Sequence, residues 1–142
     1  MTKFLLDSDT SIFCLRKRHG IAEKVCEVGV WNCSISQVTV AELRYGAECS
    51  DYPVRRHRDV DEFCGHIAVV PINDAIINIY AAQKARMRKL GVLIADFDLL
   101  IGATALYHGL VLVTNNTKHF ERMQSLQLEN WMHQGEMEEE RP

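Results

Sequence analysis

The chain has 142 residues, of which 47% are hydrophobic, enough for one domain with a sizeable core. Its net charge of −3 and pI near 6.1 exclude a global positive field for nucleic acid, though a local basic patch or a metal can still attract one. Five cysteines with no CxxC pair and six histidines with no HExxH exclude a disulfide framework and a zinc motif; with no signal peptide and no run of 18 apolar residues, a cytoplasmic protein without a membrane span is expected.

Phe4-Leu5-Leu6 is expected to form a short buried strand ending at Asp7. Ser8 or Asp9 then reads as the cap of a helix beginning near Thr10, with Ile12, Phe13, Cys14 and Leu15 on its apolar side. Arg16, Lys17, Arg18 and His19 end that helix, and Gly20 breaks it. A second helix over 21–28 stops at Gly29. Cys33-Ser34-Ile35-Ser36 is a strand, and a helix over 38–47 follows with Val40, Leu43 and Ala47 at helical spacing. Asp51-Tyr52-Pro53 marks a turn before a polar amphipathic helix over 54–64. Ile67-Ala68-Val69-Val70 is expected to be a buried strand closed by Pro71. Asn73 or Asp74 caps a long helix to Leu90, with Ile76, Ile77, Tyr80, Ala81 and Met87 inward and Gly91 ending it.

The stretch over 94–105 is apolar on almost every side, which predicts a buried helix. Asp96 and Asp98 stand at its start, at the rim of a core. Capping is one reading of such acids, worth about 0.5–2 kcal/mol. Holding a cation in a cleft is the other. Beyond the stop at Tyr107-His108-Gly109, Leu110-Val111-Leu112-Val113 is the clearest strand of the chain. Asn115-Asn116-Thr117 is a turn or helix cap, and Leu126-Gln127-Leu128 a last short strand.

Strands alternating with helices predict an α/β fold, a parallel sheet covered on both faces. Such sheets bind ligands beyond the carboxyl ends of their strands. Asp7 closes the first strand, Glu42 lies in the helix after the second, and Asn116 follows the strand ending at Val113. All three should collect at one edge, and the start of the Asp98 helix can face the same edge. Two like charges 4 Å apart repel by about 4 kcal/mol at an effective dielectric near 20. A divalent cation removes that conflict, and an all-oxygen donor set favours Mg²⁺ or Mn²⁺ over zinc. An ion held by few carboxylates keeps waters, one of which can attack a phosphodiester while the ion stabilises the developing charge.

Four blocks stand in order along the chain: Leu5-Leu6-Asp7-Ser8-Asp9, the run over 35–46 containing Ala41-Glu42-Leu43-Arg44-Tyr45-Gly46, the run over 96–105, and the run over 112–120 containing Thr114-Asn115-Asn116 and ending in His119-Phe120, followed by Leu128-Glu129-Asn130-Trp131. Together they resemble the PIN-domain ribonucleases, and more narrowly the VapC toxins of toxin–antitoxin pairs. The resemblance implies a PIN-like three-layer α/β/α domain over 1–133, with a central, mostly parallel sheet. Residues 134–142 are then an acidic tail, expected to be disordered. It further implies that Asp7 and Asp98 are the principal metal ligands and Glu42 the third acid. Asn116 stands where many members place a fourth acid; as an amide it can orient a water but adds no charge. Thr114 and Asn115 would support that loop, Asp96 would be a cap or peripheral ligand, and Asp9 a neighbour. The activity implied is Mg²⁺- or Mn²⁺-dependent endoribonuclease, restrained by a VapB-type antitoxin whose segment fills the cleft. A homodimer is implied too, with the apolar helices around 38–47 and 5–15 as its surface.

Two other classes fit parts of the sequence. Asp7-Ser8-Asp9 after a strand mimics the first motif of haloacid-dehalogenase-type phosphatases, with Asp7 as nucleophile and Asp9 as acid/base. The chain is short for that fold and lacks a late Gly-Asp-x-x-x-Asp block. The third class is a non-catalytic subunit of a DNA-bound repressor complex, with Arg16, Lys17 and Arg18, Arg55, Arg56 and Arg58, or Arg86, Arg88 and Lys89 touching phosphates. The plain reading of each cluster is a solvated helix face or helix end.

Overall fold

The computed structural model describes residues 3–132. Its strands are β1 (Phe4–Leu6), β2 (Cys33–Ser36), β3 (Ala68–Val70), β4 (Val111–Val113) and β5 (Leu128–Glu129). Its helices are α1 (Ser8–Leu15), α2 (Ile21–Val28), α3 (Gln37–Glu48), α4 (Pro53–His66), α5 (Asp74–Leu90), α6 (Asp96–His108) and α7 (Thr117–Phe120). A 3-10 turn, Val30–Asn32, leads into β2. The five strands form one sheet in the order β3-β2-β1-β4-β5, every pairing parallel.

Alternation along β1 sends side chains to two separate cores, one on each face of the sheet. Phe4 and Leu6 join Ile21, Val25, Ile35, Val113 and Trp131, which α1, α2 and α4 help to cover. Leu5 joins Leu112, Met87, Leu99, Ile101 and Phe120 beneath α5 and α6. Both faces of β1 and β4 are therefore closed, which is why these strands read as continuous apolar runs. Helix α6 is buried through its middle, from Ile101 to Ala105. It can lie this deep because Gly102 carries no side chain: a Cβ there would collide with Met123.

Several expectations need correction. The cap of α1 is Asp7, not Ser8 or Asp9: its extended backbone, ψ 177°, brings its carboxylate under the Thr10 N–H. Three consecutive polar candidates made that boundary ambiguous, and the helix starts two residues before Thr10. Strand β3 is largely exposed, because it is the sheet edge and has only β2 beside it; of its predicted run, Ile67 alone is buried. On α5, Ile76 and Met87 face inward, but Ile77 and Ala81 face solvent. Of the apolar helices expected to supply a dimer surface, Leu5, Leu6, Val38, Leu43 and Ala47 are buried in this chain's own core, while Ile12, Phe13, Leu15 and Val40 are only partly buried. The acidic tail over 134–142 lies outside the described residues. No helix among the described residues is long and apolar enough to cross a membrane.

Candidate active site

Register brings the site together. Leu6 pairs with Ile35 on one side and Val113 on the other, so Asp7 and Thr114, just beyond β1 and β4, stand at one level with Ser36, the last residue of β2. The Asp7 N–H donates to the Val113 carbonyl at 3.0 Å, which extends the β1–β4 ladder by one residue. The Thr10 hydroxyl donates to the same carbonyl at 3.2 Å. Asp7 Oδ1 accepts from the Thr10 N–H at 2.9 Å. Capping and site chemistry are thus not alternatives here, because one carboxylate oxygen caps α1 while the group stays at the sheet edge. Asp7 is only 5% exposed. That burial pushes its pKa up; the Thr114 and Thr10 donors pull against the shift, and the nearby Asp9 charge adds to it.

Glu42 enters from the second helix layer. The Ser36 hydroxyl accepts from the Val38 N–H at 3.1 Å and starts α3 directly from β2. Glu42 follows in the second turn. The Ser8 hydroxyl donates to Glu42 Oε1 at 2.8 Å, and its oxygen lies 3.1 Å from the Thr39 hydroxyl. Since the Ser8 hydrogen is used on the carboxylate, Thr39 is the donor in the second bond. Partial burial raises the Glu42 pKa; Ser8 opposes this, while the charges of Asp98 and Asp9 add to it. Glu42 therefore sits within electrostatic reach of acids from both α1 and α6.

At the start of α6, Ala95 is the capping position and supplies no side-chain bond. Asp98 turns instead toward α7, where Oδ2 lies 3.0 Å from His119 Nε2. Asp96 points the other way: Tyr80 and Lys84, both on α5, donate to its Oδ1 at 2.8 and 2.7 Å. Among the described residues its hydrogen bonds run to α5 rather than to the N–H groups of its own helix. Asn116 occupies the capping position of α7 but makes no side-chain cap bond; its N–H donates to Thr114 Oγ1 at 2.9 Å. Thr114 thus supports this loop as expected. Asn115 Oδ1 is buried without a hydrogen-bond partner among the described residues.

Beside Glu42 opens a cleft between α1, α3 and α4. Ile12, Leu15, Leu43 and Val60 line it, with Arg16 and Arg56 on its walls. Of the basic clusters, Arg56 pairs with Asp59, and Arg86 donates to the Arg122 carbonyl. Those two arginines serve ordinary structural roles.

The sequence reading overlooked three contributors: Ser8, Thr39 and His119. Two had a usable signal. Thr39 precedes Glu42 by three residues and so shares its helix face, and His119 follows Asn116 by the same interval.

The donors gathered here are hard oxygens, which suit a divalent cation such as Mg²⁺ or Mn²⁺. Burial and mutual repulsion load the acids in the manner a cation relieves. As the side chains stand, no group of three or more His, Cys, Asp or Glu among the described residues is arranged to hold an ion. Closure of the acids around one would take side-chain rotation.

The family model of the PIN domain matches residues 8–126. A ribonuclease VapC2 of Haemophilus influenzae is 33% identical over 132 residues, covering 93% of this chain and all of that one. The tRNA(fMet)-specific endonuclease VapC of Shigella flexneri is also 33% identical, covering 92% and 99%. Among solved structures, a DNA-bound VapBC from Salmonella typhimurium superposes with a TM-score of 0.86 at 32% identity, covering 92% of this chain and 99% of that one. VapBC2 from Rickettsia felis, bound to a promoter DNA fragment, gives 0.84 at 26% with the same coverage. These matches leave the phosphatase reading without support, and Asp9, its required acid/base, is exposed. The chain belongs to the PIN-domain family, within the VapC ribonucleases.

Proposed function

We propose that this protein is a metal-dependent endoribonuclease toxin in which Asp7, Glu42 and Asp98 hold Mg²⁺ or Mn²⁺ against an RNA phosphodiester. One observation carries the reading. Glu42 on α3 feels the charge of Asp98 on α6 and is held by Ser8, the residue next to Asp7 at the end of β1, and burial first and like charge second raise the pKa of both Asp7 and Glu42. A bound divalent ion would offset that charge and supply Lewis-acid activation of water and of the scissile phosphate. The chain's own groups do the rest. Thr10 and Thr114 hold Asp7, Ser8 holds Glu42, and the uncharged amide of Asn116 orients water or substrate without adding to the repulsion. No Ser, Cys or His nucleophile is required.

The relatives in VapBC complexes support a VapB-type antitoxin as partner. The apolar cleft beside Glu42 suits a segment of such a chain, since occupying it would cover the Glu42 side of the site. A homodimer, and a hetero-oligomer with the antitoxin, remain part of the reading. A non-catalytic role in a repressor complex is not favoured, because no acid of the set is missing.

The experiment is RNA cleavage by the purified chain with Mg²⁺ or Mn²⁺, followed by analysis of product ends. Initiator transfer RNA is the first substrate to try, because the Shigella relative is named for it. Hydrolysis through an activated water predicts 5′-phosphate and 3′-hydroxyl ends, and no cleavage in chelator. Ends bearing 2′,3′-cyclic phosphate would overturn it.

A further inference from the structure

Each of the three acids has its own positioning donor. Asp7 has the Thr10 N–H, Glu42 has the Ser8 hydroxyl, and Asp98 has His119. His119 makes the one protein hydrogen bond to the Asp98 carboxyl among the described residues. A carboxylate only accepts, so Nε2 carries the hydrogen and donates, whatever the state of Nδ1. The ring is held in turn. It packs edge-on against Phe120, centroids 5.6 Å apart at 90°, and Phe120 is buried to 1% exposure, pinning α7 to the sheet.

Asp98 needs such a support. It lies in the first turn of α6, where no side chain caps the helix, and its charge faces that of Glu42. Unrestrained, the carboxylate would turn away from its like-charged neighbour. We propose that His119 is the positioning residue for Asp98: it fixes Oδ2 against the repulsion of Glu42 and leaves Oδ1, which has no protein donor among the described residues, for the cation. Supporting shells of this kind set ligand orientation in metal sites, and losing one weakens affinity by about 10–100-fold. From α7, His119 then brings Asp98 a hydrogen-bond donor rather than a further acid. This inference rests on the metal reading above.

The test titrates Mn²⁺ into metal-free protein, read by electron paramagnetic resonance, for wild type, D98N, H119F and H119Q. H119F keeps an aromatic ring against Phe120 but donates nothing, whereas H119Q offers an amide N–H. The expected result is tight binding by wild type, none by D98N, an affinity about 10–100-fold weaker for H119F, and recovery toward wild type in H119Q. Metal-free melting temperatures should stay close to one another, and excess Mn²⁺ should restore RNA cleavage by H119F without a change in KM for RNA. If wild type binds no Mn²⁺, the metal reading itself fails. If wild type binds and D98N does not, but H119F binds like wild type, the positioning role alone is overturned. A raised KM for RNA with unchanged Mn²⁺ affinity would make His119 a substrate contact and overturn it equally.

Discussion

The first turn of α6 carries two aspartates that serve different regions of the molecule. Asp96 joins Lys84 and Tyr80 in a solvent-exposed strap between α5 and α6. Asp98 meets His119 and the charge of Glu42 at the sheet edge. Two residues along a helix turn through about 200°, so neighbours in sequence face opposite ways. The consequence is electrostatic. Lys84 and then Tyr80 hold Asp96 below the usual carboxylate range. At the sheet edge, burial pushes Asp7 and Glu42 above it. One region has its charge matched within the protein, and the other accumulates charge that the protein leaves uncompensated. On the proposed reading, that asymmetry separates a structural acid from the metal-holding ones.

Exchanging the two aspartates breaks the comparison most sharply. D98N should reduce RNA cleavage by well over the roughly 100-fold that follows loss of a mere supporting group, with the fold intact by circular dichroism. D96N should leave cleavage near wild type and lower the melting temperature only slightly, less still in high salt.

Steric support comes next. Gly102 faces the end of the buried Met123 side chain, so G102V must displace Met123 or α6; we expect about 1–3 kcal/mol of destabilisation by chemical denaturation, and reduced cleavage where Asp98 moves with the helix.

pH separates the two regions by sign. A carboxyl whose folded pKa is raised contributes stability below its ordinary value, 3.8 for Asp7 and 4.5 for Glu42, and loses it as pH rises through the folded value. Metal-free protein should therefore lose stability on this account from the acid range upward, and Mn²⁺ should reverse the loss. D7N retains a capping oxygen but carries no charge. It should melt higher than wild type near neutral pH by a few degrees, at about 2–4 °C per kcal/mol for a chain of this size, with the gap closing toward acid pH. Asp96 runs the other way: its lowered pKa contributes stability above 3.8 and loses it as pH falls through the folded value. The D96N difference should therefore also shrink in acid, but with the opposite sign.

The smallest effect separates the site from its neighbour. D9N should only dent cleavage, because Asp9 is exposed and reaches the site through its field alone, whereas E42Q should remove most of it.

Sequence made the sheet and the approach of Asp7, Glu42 and Asn116 legible, because each follows a strand end and strand ends of a parallel sheet share one edge. Asp98 was legible as an acid at the start of an all-apolar helix. Which of Asp96 and Asp98 faces the sheet edge was not, since that depends on the rotation of α6 as it packs against α5 and the sheet. The exposure of β3 escaped for a related reason: Ala68-Val69-Val70 has the composition of a central strand, and only strand order puts it at the edge. Ser8 escaped because its role rests on a contact across 34 residues with no local pattern to mark it, and His119 because its spacing from Asn116 does not reveal the partner 21 residues away.

Anomalous diffraction from crystals grown with Mn²⁺ tests the central claim most directly. The account predicts a peak bounded by oxygens of Asp7, Glu42 and Asp98, with Asp96 still paired to Lys84. A peak elsewhere, or no peak in protein that still cuts RNA in chelator, would contradict it.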